Sequence, residues 1–207
     1  CQRHAVSHRR EPLKTNPLPK HCFEQIAIDF KNLPDGRYAL CIIDLYSRYP
    51  EVAIVKSTSF TCVQKVLLRY FARYSVPRKL KSDNGPPFNS YAFAEFAKKQ
   101  NFHHHKTTPL HPEANGEVES FMRNIVKCIS RSKFLKTPVE EEIRKMLFAK
   151  RATKHATTGK SPYEMVFNRP MRIGELEPVP AVDQQPEIDG KQIKEDQVQR
   201  NVERVKE

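Results

Sequence analysis

The chain has 207 residues and is 38% hydrophobic, which is enough for one core of ordinary size with flanking segments. It carries 36 lysines and arginines against 24 acidic residues, so its net charge is +12. No apolar run approaches the length of a membrane span. The five cysteines are odd in number and widely scattered, which argues against a disulfide framework and for a reducing compartment.

The positive charge is concentrated in the body of the chain. Residues 175–207 hold nine acids and five bases, so residues 1–174 carry +16. A polyanion such as nucleic acid is the natural partner of a body with this charge, because each neutralised phosphate releases condensed counterions. A basic surface that serves only solubility is the plainer alternative.

The first half of the chain predicts a basic arm, a strand meander and a helix. Residues 1–20 contain five bases, one acid and three prolines, which indicates an extended arm. The segments FEQIAIDF, RYALCIIDL and EVAIVK, separated by turns, predict three antiparallel strands. Apolar positions at helical spacing predict a helix over residues 60–74 that ends before Pro77.

The next segments complete a predicted α/β fold. A helix that crosses the sheet delivers the following strand, RKLKSD, parallel to an earlier strand. If this strand pairs beside the first one, Asp83 lies next to Asp29. A second helix is predicted over about residues 90–100 and a fifth strand over about 102–106.

A loop and a long helix follow. Residues 107–114 contain two prolines and predict a mobile loop. Asn115 is predicted to cap the next helix. The apolar positions of that helix are Val118, Phe121, Met122, Ile125, Val126 and Ile129. Glu119 shares a stripe with Met122, Val126 and Ile129, so it can face inward near the start of the helix, whereas Glu117 lies on the Phe121 and Asn124 side.

Three acidic residues stand at the ends of differently built segments: Asp29 in QIAIDF, Asp83 in KLKSDNGPPF and Glu119 in HPEANGEVES. If the fold gathers them, three unpaired negative charges repel by several kcal/mol, and divalent cations are needed to hold them together. Hard oxygen ligands favour magnesium or manganese. A solvated surface position is the plainer alternative for Glu119 taken alone.

The order of these motifs resembles the catalytic core of retroviral and LTR-retrotransposon integrases. Asp83 and Glu119 are separated by thirty-five residues, and the segment KHATTGKSPYEMVFNRP resembles a further block of the gypsy-type branch. The resemblance covers about residues 18–172. It implies a ribonuclease H-like fold, with a five-stranded mixed sheet flanked by helices. It also implies a polynucleotidyl transferase that trims DNA 3′ ends and joins them to target DNA.

The resemblance also implies the site residues. Asp29, Asp83 and Glu119 correspond to the catalytic and metal-binding triad, with two Mg²⁺ or Mn²⁺ ions expected. In this mechanism Asp29 is the shared ligand of both ions, Asp83 completes one site and Glu119 the other.

Four further residues are predicted to contact DNA. Asn115 and Gly116 resemble the loop-to-helix junction beside the family's active site, although helix capping alone also explains Asn115. Arg123 and Lys127 lie one and two turns beyond Glu119 and form a basic row suited to phosphates. A solvated helix face is the alternative for this row.

Some neighbouring residues have local interpretations. Asn84 and Gly85 are predicted to shape the turn that presents Asp83, with a positive φ expected at the glycine. Residues 103–105 are three histidines, but alternate residues of a strand face opposite sides, so at most two share a face and the run is interpreted as strand. Ser161 is predicted to cap a short final helix.

The expected organisation has three parts: a basic arm at residues 1–20 that follows a zinc domain, a catalytic core at 21–172, and a linker with a charged helix at 173–207. Zinc is not expected to bind near Cys1, because no complete set of four ligands is present.

The resemblance implies retroelement DNA ends and target DNA as partners, a homo-oligomer, no membrane and no small-molecule substrate. It implies action in the nucleus at the integration step, after a cytoplasmic particle stage. Two alternatives stay open. One is a domesticated, non-catalytic DNA-binding or assembly module, and the other is a nuclease of the same fold that cuts without joining.

Overall fold

The computed structural model describes residues 19–107, 116–156 and 158–173. The chain divides into two compact units, Cys1–Met171 and Arg172–Glu207. Only the first two residues of the second unit are described, so the elements below belong to the first. The predicted arm up to residue 18 and the predicted linker and helix beyond residue 173 lie outside the described residues.

Five strands form one mixed sheet. They are β1 (Gln25–Asn32), β2 (Tyr38–Asp44), β3 (Pro50–Val55), β4 (Lys79–Ser82) and β5 (His103–Lys106). The order across the sheet is β3-β2-β1-β4-β5, with β1, β2 and β3 antiparallel and β4 and β5 added in parallel. The predicted placement of the fourth strand beside the first is therefore confirmed.

Five helices accompany the sheet in the described part of the chain: α1 (Phe60–Tyr74), α2 (Tyr91–Gln100), α3 (Gly116–Leu135), α4 (Val139–Ala152) and α5 (Pro162–Phe167). The bounds of α1 are those predicted, whereas α4 was not anticipated. Ser161 caps α5 as predicted, since its hydroxyl accepts from the Glu164 N–H at 3.2 Å while the Glu164 carboxylate accepts from the Ser161 N–H at 2.8 Å. None of these helices is long and apolar enough to span a bilayer.

The sheet is covered on both faces, because successive strand residues point to opposite sides. Ile26 and Ile28 of β1 belong to an aromatic-rich core with α1 and α2. Ala27 belongs to a second core with α3 and α4. Asp29 follows Ala27 by two residues, so its side chain lies on the α3 face of the sheet.

Candidate active site

Asp29 and Asp83 lie near each other, on and just beyond two adjacent strands of the sheet. The parallel pairing of β1 with β4 matches Ile26 with Leu80 and Ala27 with Lys81. Extended by two residues, the same register would bring Asp29 level with Asp83, which follows β4 directly and is exposed. The charge of Asp83 acts on Asp29, which agrees with the expectation that the two residues are neighbours.

The carboxylate of Asp29 is half-buried and poorly supplied with donors. Within the described residues it accepts one hydrogen bond, from the Phe30 N–H to Oδ1 at 2.7 Å. Burial raises the pKa of Asp29 above its ordinary value. The Phe30 hydrogen bond opposes this rise, and the negative charges of Asp83 and Glu119 add to it. Asp29 is thus close enough to Asp83 and to Glu119 to be influenced by the charge of each.

Glu119 lies in the first turn of α3 and is exposed, which agrees with the solvated surface position named above as the plainer alternative and not with an inward orientation. The buried stripe of α3 consists of Val118, Phe121, Ile125 and Cys128. Of the residues that Glu119 was predicted to share a face with, Met122 and Ile129 are half-buried and Val126 is exposed. Each helical residue turns by about 100°, so Glu119 lies about 100° around the helix from Val118, outside the buried stripe and on the same side as the exposed Val126.

Gly85 makes room for the Asp83 carboxylate. A Cβ atom added at Gly85 would lie 3.0 Å from Asp83 Oδ2, tighter than ordinary van der Waals contact. The positive φ predicted at Gly85 is wrong, because the described glycines with positive φ are Gly36 and Gly159. The requirement for glycine here is spatial, since any side chain at this position would press on the carboxylate.

The turn that follows Asp83 is anchored in the core by Phe88. The Phe88 side chain is buried, stacks on Phe30 at 5.7 Å between ring centroids, and contacts Phe93 edge-on at 5.4 Å. The Phe88 N–H donates to the Gly85 carbonyl at 2.9 Å. Asn84 is exposed within the same turn. The aromatic core on one face of the sheet thereby fixes the loop beside the carboxylates.

The Asp29, Asp83 and Glu119 side chains do not form a preassembled metal-binding group in the described part of the chain. Within residues 19–107, 116–156 and 158–173, no group of three or more His, Cys, Asp or Glu side chains is placed to hold a metal ion. The donor chemistry still fits a hard divalent cation, because all three groups offer only oxygen and Asp29 is repelled by two like charges. Asp29 and Asp83 fit as Mg²⁺ or Mn²⁺ ligands, and Glu119 joins them only if its side chain turns inward.

The residues predicted to contact DNA are partly described. Arg123 and Lys127 are exposed on α3 in line with Glu119, and neither forms an ion pair within the described part of the chain. Gly116 is the first residue of α3. Asn115 and the predicted loop at 108–114 lie outside the described residues, so the predicted cap is not observed.

Ser82 and His104 were not anticipated as site residues. Ser82 Oγ donates to the Asp83 main-chain oxygen at 2.7 Å and lies 2.8 Å from His104 Nε2. The alternation of the histidine run predicts that His104 differs in orientation from His103 and His105. It does not predict which strand His104 meets, because that depends on the pairing of β4 with β5.

Residues 20–112 match the family profile described as Integrase core domain. The chain is 28% identical over 198 residues to the Gag-Pol polyprotein of Walleye dermal sarcoma virus, covering 88% of this chain and 11% of that protein. It is 27% identical over 162 residues to the retrovirus-related Pol polyprotein from transposon gypsy of Drosophila melanogaster, covering 76% of this chain and 16% of that protein. The chain thus spans a small part of each polyprotein.

Solved structures agree on the fold. The HTLV-2 integrase catalytic core domain in complex with magnesium superposes with a TM-score of 0.57 and 19% identity, covering 72% of this chain and 97% of that one. A chain of the simian T-cell lymphotropic virus intasome superposes with a TM-score of 0.63 and 17% identity, covering 85% of this chain and 63% of that one. The protein has a ribonuclease H-like fold. Residues 20–112 are similar to the integrase core domain, and the chain is similar to parts of retroviral and gypsy-type Pol polyproteins.

Proposed function

We propose that this protein is a metal-dependent polynucleotidyl transferase that trims retroelement DNA 3′ ends and joins them to target DNA. Residues 21–172 form its catalytic core, between the arm at 1–20 and the linker and helix at 173–207. The proposal is supported by the parallel pairing of β1 with β4, whose register extended by two residues brings Asp83 beside Asp29, and by the effect of the Asp83 charge on Asp29. Two neighbouring carboxylates, with Glu119 close enough to raise the pKa of Asp29, suit a common cation site.

Each residue of the triad has a defined task. Asp29 is the proposed shared ligand, held by a rigid central strand and by its hydrogen bond from Phe30. Asp83 holds one side of the site, and Gly85 leaves its carboxylate room to be a ligand. Glu119 closes the other side from the first turn of α3. When bound, two divalent ions supply charge stabilisation for the attacking and leaving oxygens of an in-line displacement at phosphorus.

The displacement needs no covalent intermediate with the protein. In trimming, an oxygen of water forms a bond to phosphorus and the bond to the leaving 3′ oxygen breaks. In joining, the attacking oxygen belongs to a DNA 3′-hydroxyl and the leaving oxygen to the target strand. One site serves both steps because only the attacking oxygen changes.

The basic row of α3 is the proposed approach for DNA. Arg123 and Lys127 are exposed cations one and two turns beyond Glu119, so a phosphate chain that follows the helix would pass both before it reaches the carboxylates. Asn115 and Gly116 are proposed to contact the DNA end at the start of the same helix. The proposed partners are retroelement DNA ends and target DNA, taken up by a homo-oligomer in the nucleus after a cytoplasmic particle stage.

A joining assay tests the proposal. The full chain is incubated with Mn²⁺, a labelled pool of DNA duplexes with randomised terminal base pairs, and a supercoiled plasmid. We expect label to become covalently attached to the plasmid, and we expect Asp83→Asn to abolish this product. Cleavage without joining would instead identify a nuclease, and binding without either reaction would identify a non-catalytic DNA-binding module.

A further inference from the structure

Hydrogen bonds from Thr107, which follows the neighbouring strand β5, and from Ser82 fix the main chain around Asp83. Thr107, which follows β5, donates its N–H and its hydroxyl to the Ser82 carbonyl at 2.8 and 2.9 Å. Ser82 Oγ donates to the Asp83 carbonyl at 2.7 Å. The two carbonyl groups on either side of the Asp83 Cα atom are therefore both fixed by hydrogen bonds.

We assign the one hydroxyl proton of Ser82 to its hydrogen bond with the Asp83 carbonyl at 2.7 Å. With this assignment Ser82 Oγ accepts from His104 Nε2 across 2.8 Å, and His104 is the first donor of the chain. This assigns the neutral tautomer that carries its proton on Nε2. Burial lowers the pKa of His104 to about 4, which agrees with a neutral ring at physiological pH.

The His104 ring is itself held in place. It packs against Phe93 of α2 at 4.7 Å between ring centroids, with the rings inclined at 59°. Phe93 is fully buried in the aromatic core, and Ser82 is fully buried as well. Because packing fixes the ring, its N–H group keeps a constant position. The two hydrogen bonds that link His104 to Ser82 and Ser82 to Asp83 therefore have little freedom to rearrange.

We propose that His104 is a positioning residue for the metal-binding Asp83, acting through the Ser82 hydroxyl. This inference rests on the proposed function, because it assigns to His104 the support of a ligand in the proposed metal site. Groups behind a metal ligand restrict its orientation and so lower the entropy that is lost when the ion binds. Removal of such a group costs about 10- to 100-fold in metal affinity or activity.

Four variants of the full chain separate positioning from packing. His104→Phe keeps a ring against Phe93 and removes the N–H. His104→Gln keeps an amide donor near the position of Nε2. Ser82→Ala removes the middle of the hydrogen-bond chain with little change of volume. The matched control is His103→Phe, since His103 is an exposed neighbour on the same strand.

Binding of Mn²⁺ in the absence of DNA is measured by electron paramagnetic resonance of the free ion, and thermal unfolding is followed in parallel. We expect His104→Phe and Ser82→Ala each to weaken Mn²⁺ binding by about tenfold or more. We expect His104→Gln to restore most of the affinity and His103→Phe to leave it unchanged. The His104→Phe, Ser82→Ala double variant should bind no more weakly than Ser82→Ala, because both changes break one chain of bonds.

The outcomes distinguish this inference from the proposed function. If His104→Phe and Ser82→Ala lower the melting temperature but bind Mn²⁺ as tightly as the unchanged protein, His104 is a packing residue and the inference is overturned. If the unchanged protein binds no Mn²⁺ at all, the proposed function fails and this inference fails with it.

Discussion

Two aspartates on the same sheet, Asp44 and Asp29, differ in how many hydrogen bonds their carboxylates accept. Asp44, the last residue of β2, is fully buried, and its carboxylate accepts from the Phe23 N–H at 2.9 Å, the Ser47 N–H at 2.8 Å and the Ser47 hydroxyl at 2.5 Å. Asp29, in the neighbouring strand, is less buried, and among the described residues the Phe30 N–H is the one donor to its carboxylate. Burial raises the pKa of both groups, and hydrogen bonds oppose the rise far more extensively at Asp44.

The number of hydrogen bonds that a buried carboxylate accepts indicates whether its oxygens are free to bind a ligand. Asp44 has its oxygens occupied by donors of its own turn, so it stabilises the connection between β2 and β3 and has little capacity for a ligand. Asp29 keeps free acceptor capacity and faces two further negative charges, so its charged form is disfavoured, as suits the cation ligand that we propose it to be. The degree of hydrogen bonding, rather than burial alone, separates the structural Asp44 from the proposed ligand Asp29.

The largest expected effect is the loss of activity in Asp29→Asn. Removing a shared metal ligand is expected to lower DNA joining by at least about 1,000-fold, equivalent to several kcal/mol of transition-state stabilisation. The same change relieves repulsion from Asp83 and Glu119, so the free energy of unfolding without metal should stay the same or rise. Urea denaturation in the presence of a chelator provides this measurement. A marked loss of stability would place Asp29 in the same class as Asp44.

Asp44→Ala is expected to destabilise the fold by about 3 kcal/mol or more, because it leaves buried donors of Phe23 and Ser47 without a partner. Urea denaturation measures the change in unfolding free energy. The control is Asp35→Ala in the exposed turn between β1 and β2, which is expected to change stability by much less. If the two variants unfold alike, the hydrogen bonds of Asp44 do not stabilise the fold.

The stability of the protein is expected to fall as pH is lowered from about 6.5 to about 4, partly through His104. Its pKa is about 4 in the fold against an ordinary value of 6.5, so the unfolded chain takes up the proton first as pH falls. His104→Phe should remove on the order of 1 to 3 kcal/mol of this dependence. Burial also lowers the pKa of His105, so the test is the difference between the two proteins. Parallel stability curves would contradict a buried neutral His104.

The smallest expected effect concerns DNA affinity. The paired changes Arg123→Gln and Lys127→Gln should weaken binding to duplex DNA several-fold and reduce the slope of log affinity against log salt by roughly 2. The matched control pair is Lys65→Gln and Arg69→Gln, two exposed cations of α1 on the opposite face of the sheet. Fluorescence anisotropy at several salt concentrations measures both. An equal loss in the control pair would indicate general charge attraction rather than a contact surface on α3.

The sequence predicts those parts of the fold that local periodicity determines. The alternation in β1 and β2 and the helical spacing in α1 give these elements almost to the residue. Helix α4 was not predicted, although Val139, Ile143, Met146 and Leu147 follow the helical spacing i, i+4, i+7 and i+8 and belong to the core that α3 shares.

The candidate site was predictable in its members but not in its geometry. The helix over residues 60–74 crosses the sheet, and connection rules then restrict which strand the next one can pair with. This restriction predicts that Asp83 lies beside Asp29. The sequence left the orientation of Glu119 open between inward and solvated, since a stripe on a helix does not say which edge of it meets the sheet, and the side chain is exposed. The contact between His104 and Ser82 depends on the register of two strands distant in sequence, which no local pattern specifies.

Asp29, Asp83 and Glu119 are proposed to form one divalent-cation site. Anomalous diffraction from crystals of the full chain soaked in Mn²⁺ tests it most directly. We expect anomalous peaks from Mn²⁺ between the Asp29 and Asp83 carboxylates, with ligand oxygens at about 2.0 to 2.3 Å from the ion. We also expect the Glu119 side chain to turn inward and join them. Ordered carboxylates with no Mn²⁺ peak between them, or a peak bound only elsewhere on the molecule, would contradict it.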